Sequence, residues 1–381
     1  MAGVYIHIPF CKSFCTYCDF YSICDQRGIG RWLDSLFREM EYRRHFFSAC
    51  GNIIPSTLYI GGGTPSLLSP SQIGDIARRA EKFFRGGRRF DEFTMELNPD
   101  DLSYEKASGW KAAGVSRVSM GVQSFDDPAL KWMNRRHNGA AALKAFDTLR
   151  EAGFGNISLD LIFGYLIPGE TSAEGMRRWN CDLETVMALK PEHISSYQMS
   201  IEAGSILGQM KAEGKYREPE DSYCAAQYEL LQKILAEGGY EQYEISNFAL
   251  KTDNEVSPFR SRHNSSYWTR EPYIGLGPAA HSFCGRTRSW NPDDVEGYID
   301  ADGKVSPESE TLSDEEIVEE KIMLGLRTAE GVSALEAAAV GCGKLEEALS
   351  CGRLALRDGR YRIPSDKWFI SDDIIVNLLA E

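Results

Sequence analysis

An α/β fold is what this chain predicts: a partial barrel of six β/α units followed by a small helical module of winged-helix type. Three observations carry that expectation. Short β-branched or aromatic runs at residues 4–8, 57–60, 93–97, 117–122, 157–162 and 194–199 alternate with helix-like stretches. Such alternation makes the strands parallel, with right-handed crossovers between them. Residues suited to chemistry follow the ends of these strands, which is where β/α barrels collect their sites. Near residue 314 the pattern changes to helices and then a hairpin signal.

The elements follow in order. Residues 4–8 form a strand that Pro9 ends. Cys11, Cys15 and Cys18 come next, on one loop. Residues 31–47 are helix-like, with Trp32, Leu36, Met40 and Phe47 among the apolar positions. The strand at 57–60 runs into Gly61-Gly62-Gly63-Thr64-Pro65. Ser69 caps the following helix, Pro70 takes its first position and Gln72 completes a capping box. After the strand at 93–97, Ser103 opens a helix that Gly114 closes. Helices at 139–152 and 171–189 separate the last three strands of the barrel. Downstream, 222–237 reads as helix and 241–248 as strand. Residues 251–295 are rich in aromatics, Gly and Pro and read as a long loop, either functional or a packed cover. Residues 300–313 read as a linker. Ser313 with Glu316, and Ser333 with Glu336, start two helices by capping boxes. Asp358-Gly359 marks a hairpin turn, and 371–379 is a final helix. We therefore expect a barrel core at 1–215, a barrel-extending region at 216–299 and a C-terminal module at 300–381.

Composition bounds the function. The chain has 381 residues, 43% hydrophobic and 26% charged, which suits a globular protein with a large core. No apolar run approaches the roughly 18 residues of a membrane span. The initial methionine leads straight into a strand, so no leader peptide is expected. Three of the ten cysteines are clustered, and the scattered others, Cys50 and Cys284 among them, are expected as thiols in a reducing cytoplasm. A formal net charge of −14 disfavours a general nucleic-acid binder, which needs basic surface.

Cys11, Cys15 and Cys18 stand at C-x3-C-x2-C spacing. Tetrahedral zinc usually takes a second C-x2-C arm or a pair of His ligands, and the sequence has no such arm. A zinc knuckle and idle cysteines are the bland alternatives. Three closely spaced thiolates suit a cubane iron–sulfur cluster better, and three ligands for four irons leave one iron open. The glycines at 61–63 fit a tight strand-to-helix turn or a close backbone approach to a ligand. Glu96 and Asp160 lie on parallel strands, which usually read as continuous apolar runs, so each acid needs a basic core residue or a ligand as partner. His7 and His281 read either as satisfied core residues or as ligands.

The cysteine loop behind a first strand resembles that of the radical S-adenosylmethionine family. Tyr5-Ile-His7-Ile-Pro9-Phe-Cys11, Glu96-Leu-Asn-Pro99, Gly121-Val-Gln123-Ser-Phe125, Asp160-Leu-Ile-Phe-Gly164, His263-Asn-Ser-Ser-Tyr-Trp268 and Gly325-Leu-Arg327-Thr328 narrow the resemblance. With Gly61-Gly-Gly-Thr-Pro65 they are similar to the HemN/HemW branch, shared by oxygen-independent coproporphyrinogen III oxidases and heme chaperones, over nearly the whole chain. The resemblance implies a [4Fe-4S] cluster on Cys11, Cys15 and Cys18, whose open iron chelates S-adenosylmethionine. It places Tyr17 near the adenine and Tyr5 beneath the cluster. Gly62, Gly63 and Thr64 would meet the methionine amino group, and Glu96, Asp160 and Gln123 the ribose and the sulfonium side. Arg135 would fork onto the methionine carboxylate, with its neighbour Arg136 as the competing choice. His263 would contact heme, or its motif would only pin the loop to the barrel. No catalytic residue is assigned.

Two departures choose within the branch. The oxidases carry a fourth cysteine at Cys-x-Cys, where this chain has Phe20. They also carry an N-terminal extension, whereas strand one begins here at Val4. Both departures match the heme chaperones. The implied function is to bind heme and pass it to acceptor proteins such as respiratory enzymes, in the cytoplasm or peripherally at membrane acceptors. The cluster and an exchangeable S-adenosylmethionine would play a supporting part. The alternative is a radical enzyme, the oxygen-independent coproporphyrinogen III oxidase, which decarboxylates propionates to vinyl groups. A third reading, a cluster-binding regulator whose tail touches DNA, is disfavoured by the net charge.

Overall fold

The computed structural model describes residues 2–380. Its main sheet has twelve strands. Six of them, β1 (Gly3–Ile8), β2 (Thr57–Gly62), β3 (Glu92–Leu97), β4 (Arg117–Gln123), β5 (Ile157–Phe163) and β6 (His193–Gln198), run parallel in chain order. Helices cross between them, as the alternation of patterns requires. Beside β6 lies β8 (Asn247–Leu250), antiparallel to it, and then β7 (Tyr240–Gln242), antiparallel to β8. Beyond β1 lie β9 (Tyr273–Leu276), parallel to it, then β10 (His281–Cys284), β11 (Thr287–Trp290) and β12 (Glu308–Thr311), antiparallel.

The two faces of the parallel sheet have different chemistry. Leu58, Ile60, Met95, Leu97, Val118, Met120, Leu159, Leu161 and Ile194 are buried in one cluster with Trp32, Leu36, Ile73, Trp110, Phe146 and Trp179 from the helices. Intervening residues point to the concave side, and most of them are polar. There Tyr59 donates to Glu96 at 2.7 Å, Ser119 to Asp160 at 3.0 Å and Arg117 to His193 Nδ1 at 3.0 Å. The strands of a closed β/α barrel would fill that side with branched apolar side chains. Here it is a hydrogen-bonded lining.

The capping boxes at Ser69, Thr171, Ser313 and Ser333 form. Asp358 and Gly359 both take positive φ, 52° and 71°, between β14 (Ala355–Arg357) and β15 (Arg360–Arg362). That is the type I′ geometry of a two-residue hairpin. With β13 (Val332–Ser333) these strands form a small sheet among the C-terminal helices.

Several expectations need correction. The stretch read as a loop, 251–295, holds a helix at Arg262–Trp268 and the strands β9, β10 and β11. Each strand spans four residues, and none alternates strictly between apolar and polar. The supposed linker contains β12, whose four exposed residues include Glu308 and Glu310, charges that suit a sheet edge. The strand at 241–248 is split into β7 and β8 by a turn, and the helix at 31–47 is Ile29–Tyr42 followed by a short Phe46–Ala49. Cys50 and Cys284, expected as thiols, form a disulfide across 234 residues of sequence. Only the folded sheet brings them together.

Among the described residues no helix is long and apolar enough to cross a membrane.

Candidate functional site

A cavity of about 640 Å³ opens at the C-terminal ends of the parallel strands. Eleven of the thirteen residues singled out from the sequence line it, Tyr5 and His263 being the two that do not. The loop after β1 contributes Cys11, Cys15, Tyr17 and Cys18, and the turn after β2 contributes Gly62, Gly63 and Thr64. The ends of β3, β4 and β5 add Glu96, Gln123 and Asp160.

The cysteine loop is fastened from two sides. Thr64 donates its hydroxyl hydrogen to Cys11 Sγ at 3.4 Å, and Arg135 Nη1 approaches Cys15 Sγ at 3.3 Å. Burial pushes the Cys18 thiol up to about 11, and the neighbouring Cys15 and Cys11 add to the rise. Without metal such a thiol keeps its proton, and a bound metal reverses the preference. Among the described residues no three His, Cys, Asp or Glu side chains gather to hold a single ion. A cubane does not ask for that, since each thiolate takes a different iron.

Arg135 and Arg136, which the sequence left as alternatives, differ in structure. Arg136 is paired with Asp100 at 2.7 Å and Asp101 at 3.0 Å. Arg135 donates to Gly121 O at 2.5 Å, and its Nε is buried with no partner. An orphaned guanidinium N–H on a cavity wall is what an anionic ligand would satisfy. Gln123 ends β4 at a positive φ of 68°, where the register against β5 shifts. That bulge turns its amide into the cavity.

Glu96 and Asp160 stand on the polar wall. Burial pushes Glu96 up to about 7, against the hydrogen bond from Tyr59 and with help from Asp160. Burial pushes Asp160 up to about 6, against the hydrogen bond from Ser119. Gly62 N donates to Glu96 at 3.2 Å, so the acid also holds the glycine turn.

The tight-turn reading of the glycines has a steric basis, and Gly62 takes a positive φ of 103°. A Cβ on Gly63 would stand 2.6 Å from Phe10 O, and one on Gly62 2.7 Å from the His7 ring. The turn packs on the loop that carries the cysteines, so the close approach is to the chain itself.

Two residues lie elsewhere. Tyr5 donates to or accepts from His7 Nδ1 at 3.1 Å and faces a second cavity, of about 850 Å³. His263 is 1% exposed. Its Nδ1 meets Thr57 Oγ1 and its Nε2 meets Tyr267 OH, both at 2.8 Å. With both nitrogens engaged it pins its helix to β2, the lesser role weighed for it. Its neighbour Asn264 is the residue of that motif that reaches the first cavity. Sequence reading missed Asn264, and with it Tyr59, Ser119, Ser195 and Tyr197. The polar alternation on β2, β4 and β6 was the available signal.

A parallel sheet with this cysteine loop and polar rim defines a class, and residues 5–177 match the radical SAM superfamily. The chain is 37% identical over 338 residues to the heme chaperone HemW of Bacillus subtilis (strain 168), an alignment covering 87% of this chain and 85% of that one. It is 31% identical to HemW of Mycobacterium tuberculosis (strain ATCC 25618 / H37Rv), covering 99% and 95% respectively. This chain belongs to the radical SAM family, in its HemN/HemW branch, beside the proteins named HemW. Among solved structures, coproporphyrinogen III oxidase (HemN) from Escherichia coli superposes with a TM-score of 0.77 over 100% of this chain and 90% of that one. At 20% identity that likeness speaks for the fold. The family is one whose cofactors are a [4Fe-4S] cluster and S-adenosylmethionine.

Proposed function

We propose that this protein is a heme chaperone that binds heme and hands it to acceptor proteins. In this reading it carries a [4Fe-4S] cluster on Cys11, Cys15 and Cys18 and an exchangeable S-adenosylmethionine in the first cavity. The observation that carries the proposal is the identity to chaperones named for heme over nearly the whole length. The convergence of three thiols and an orphaned guanidinium on one cavity supports the cofactor part. When bound, such a cluster supplies an electron and one iron that the protein does not ligate.

The chain's own residues have separate tasks. Cys11, Cys15 and Cys18 give thiolates, and Thr64 and Arg135 orient two of them. Arg135 Nε is free for a ligand carboxylate, and Gln123 can donate and accept. Glu96 and Asp160 are held near neutrality and gain from a cationic or hydroxyl partner.

The test is an anaerobic heme titration of the cluster-reconstituted chain, followed at the Soret band and then by gel filtration. A saturable band at about one heme per chain that travels with the protein is expected. Absence of that band, with turnover of coproporphyrinogen III to protoporphyrinogen, would replace the chaperone by the oxidase.

A further inference from the structure

Heme has three chemical needs: a nitrogen ligand for iron, an apolar wall for each face of the ring, and cationic groups near its two carboxylates. His263 meets none of them, because it is enclosed and fully hydrogen-bonded. The first cavity is lined by the cysteines and the polar strand ends. The second cavity, of about 850 Å³, is different in kind. It lies where β1, β9, β10 and β11 face the helix at Asp314–Gly325. Its volume falls within the roughly 300–1,000 Å³ of small-molecule and cofactor sites.

Resting on the heme reading above, we infer that this second cavity is the heme site, with His281 as the iron ligand and Arg288 facing a propionate. His281 is an exposed imidazole on β10, stacked on Trp290 with ring centres 5.7 Å apart. Among the described residues neither of its ring nitrogens is claimed by a hydrogen bond. The other histidine on this cavity, His7, has both nitrogens engaged, by Tyr5 and by the backbone oxygen of Tyr21. Tyr273, Phe283 and Trp290 supply aromatic wall, and Phe20 adds a ring that is 72% exposed.

The cationic end is poised but occupied. Arg270 and Arg288 both pair with Glu320 of the helix, and Arg288 also with Glu310 at 3.6 Å. Arg288 is 38% exposed, so its guanidinium is reachable. A propionate would share or take that arginine from Glu320. The hold on heme is thereby weakened at one end, as suits a protein that must release what it binds.

The experiment titrates heme into untagged, cluster-reconstituted full chain and into His281→Ala, His281→Met, Arg288→Ala and His263→Ala. His281→Ala is expected to weaken binding by about tenfold or more and to lose the imidazole-ligated spectrum. His281→Met should keep binding with a displaced Soret band, a signature that a merely structural role would not produce. Arg288→Ala should weaken binding, while His263→Ala that folds should keep the wild-type spectrum. Saturating S-adenosylmethionine should leave heme in place. An unchanged band and affinity in His281→Ala would remove heme from this cavity. If the wild-type chain shows no saturable binding, the heme reading itself fails and takes this site with it.

Discussion

At the level of single residues, the site divides into groups that the sequence could reveal and groups that it could not. Cysteine spacing and acids on parallel strands are local facts, and they led to Cys11, Cys15, Cys18, Glu96 and Asp160. The direction in which a side chain points is not local, so Tyr5, expected beneath the cluster, faces the second cavity, and the enclosure of His263 could not be read from its motif. Cys18→Ser is expected to abolish the iron–sulfur absorption of the reconstituted protein while leaving its far-ultraviolet dichroism intact. A full iron complement in that variant would take Cys18 out of the ligand set. Glu96 carries a pH signature. Its proton is held more tightly folded than unfolded, so its contribution is complete below the ordinary carboxylate value and is lost as pH rises toward about 7. Glu96→Gln should therefore lessen the fall of the urea midpoint between about pH 4 and 7. The same variant should bind S-adenosylmethionine more weakly, and unchanged affinity would sink its ligand role. Gly63→Ala places a methyl against Phe10 O and should cost about 1–3 kcal/mol together with cluster occupancy.

Among the elements, regular ones were legible and short ones were not. Each capping box named from the sequence, at Ser69, Ser313 and Ser333, is made, because a hydroxyl and an acid or amide three residues apart are enough to write it. The strands β9 to β12 are four residues each and take their order from β1, not from their own pattern. What fastens them is Glu39, 1% exposed on the helix Ile29–Tyr42. It pairs with Arg43 at 3.1 Å and accepts from Tyr298 OH at 2.7 Å, Gly277 N at 2.8 Å and Asn291 Nδ2 at 2.8 Å. One buried carboxylate thus ties a helix, a turn and a strand end. Glu39→Ala leaves Arg43 and three donors without it, and should cost about 3–5 kcal/mol of unfolding free energy. A denaturation midpoint equal to wild type would show that the sheet extension is held by something else.

For the whole molecule, the parallel order of six strands and the gathering of loops at one rim followed from alternation alone. The extension of the sheet on both sides did not, since antiparallel edges add to a sheet without changing the central pattern. The two cavities share Asp19 and Phe20 as a common wall, immediately after Cys18. Occupants of the two cavities should therefore sense one another. Anaerobic titration of S-adenosylmethionine into the heme-loaded chain should perturb the Soret band without displacing heme, and Phe20→Ala should reduce that perturbation.

The unlike faces of the parallel sheet carry a consequence for variation. The outer, apolar positions such as Leu58, Met95 and Leu159 pack into the core, whereas inner, polar ones such as Ser119, Asp160 and Ser195 line the first cavity. Neighbouring residues on one strand thus answer to different selective pressures. A descendant of this protein could exchange its inner lining while the outer layer went on folding it as before.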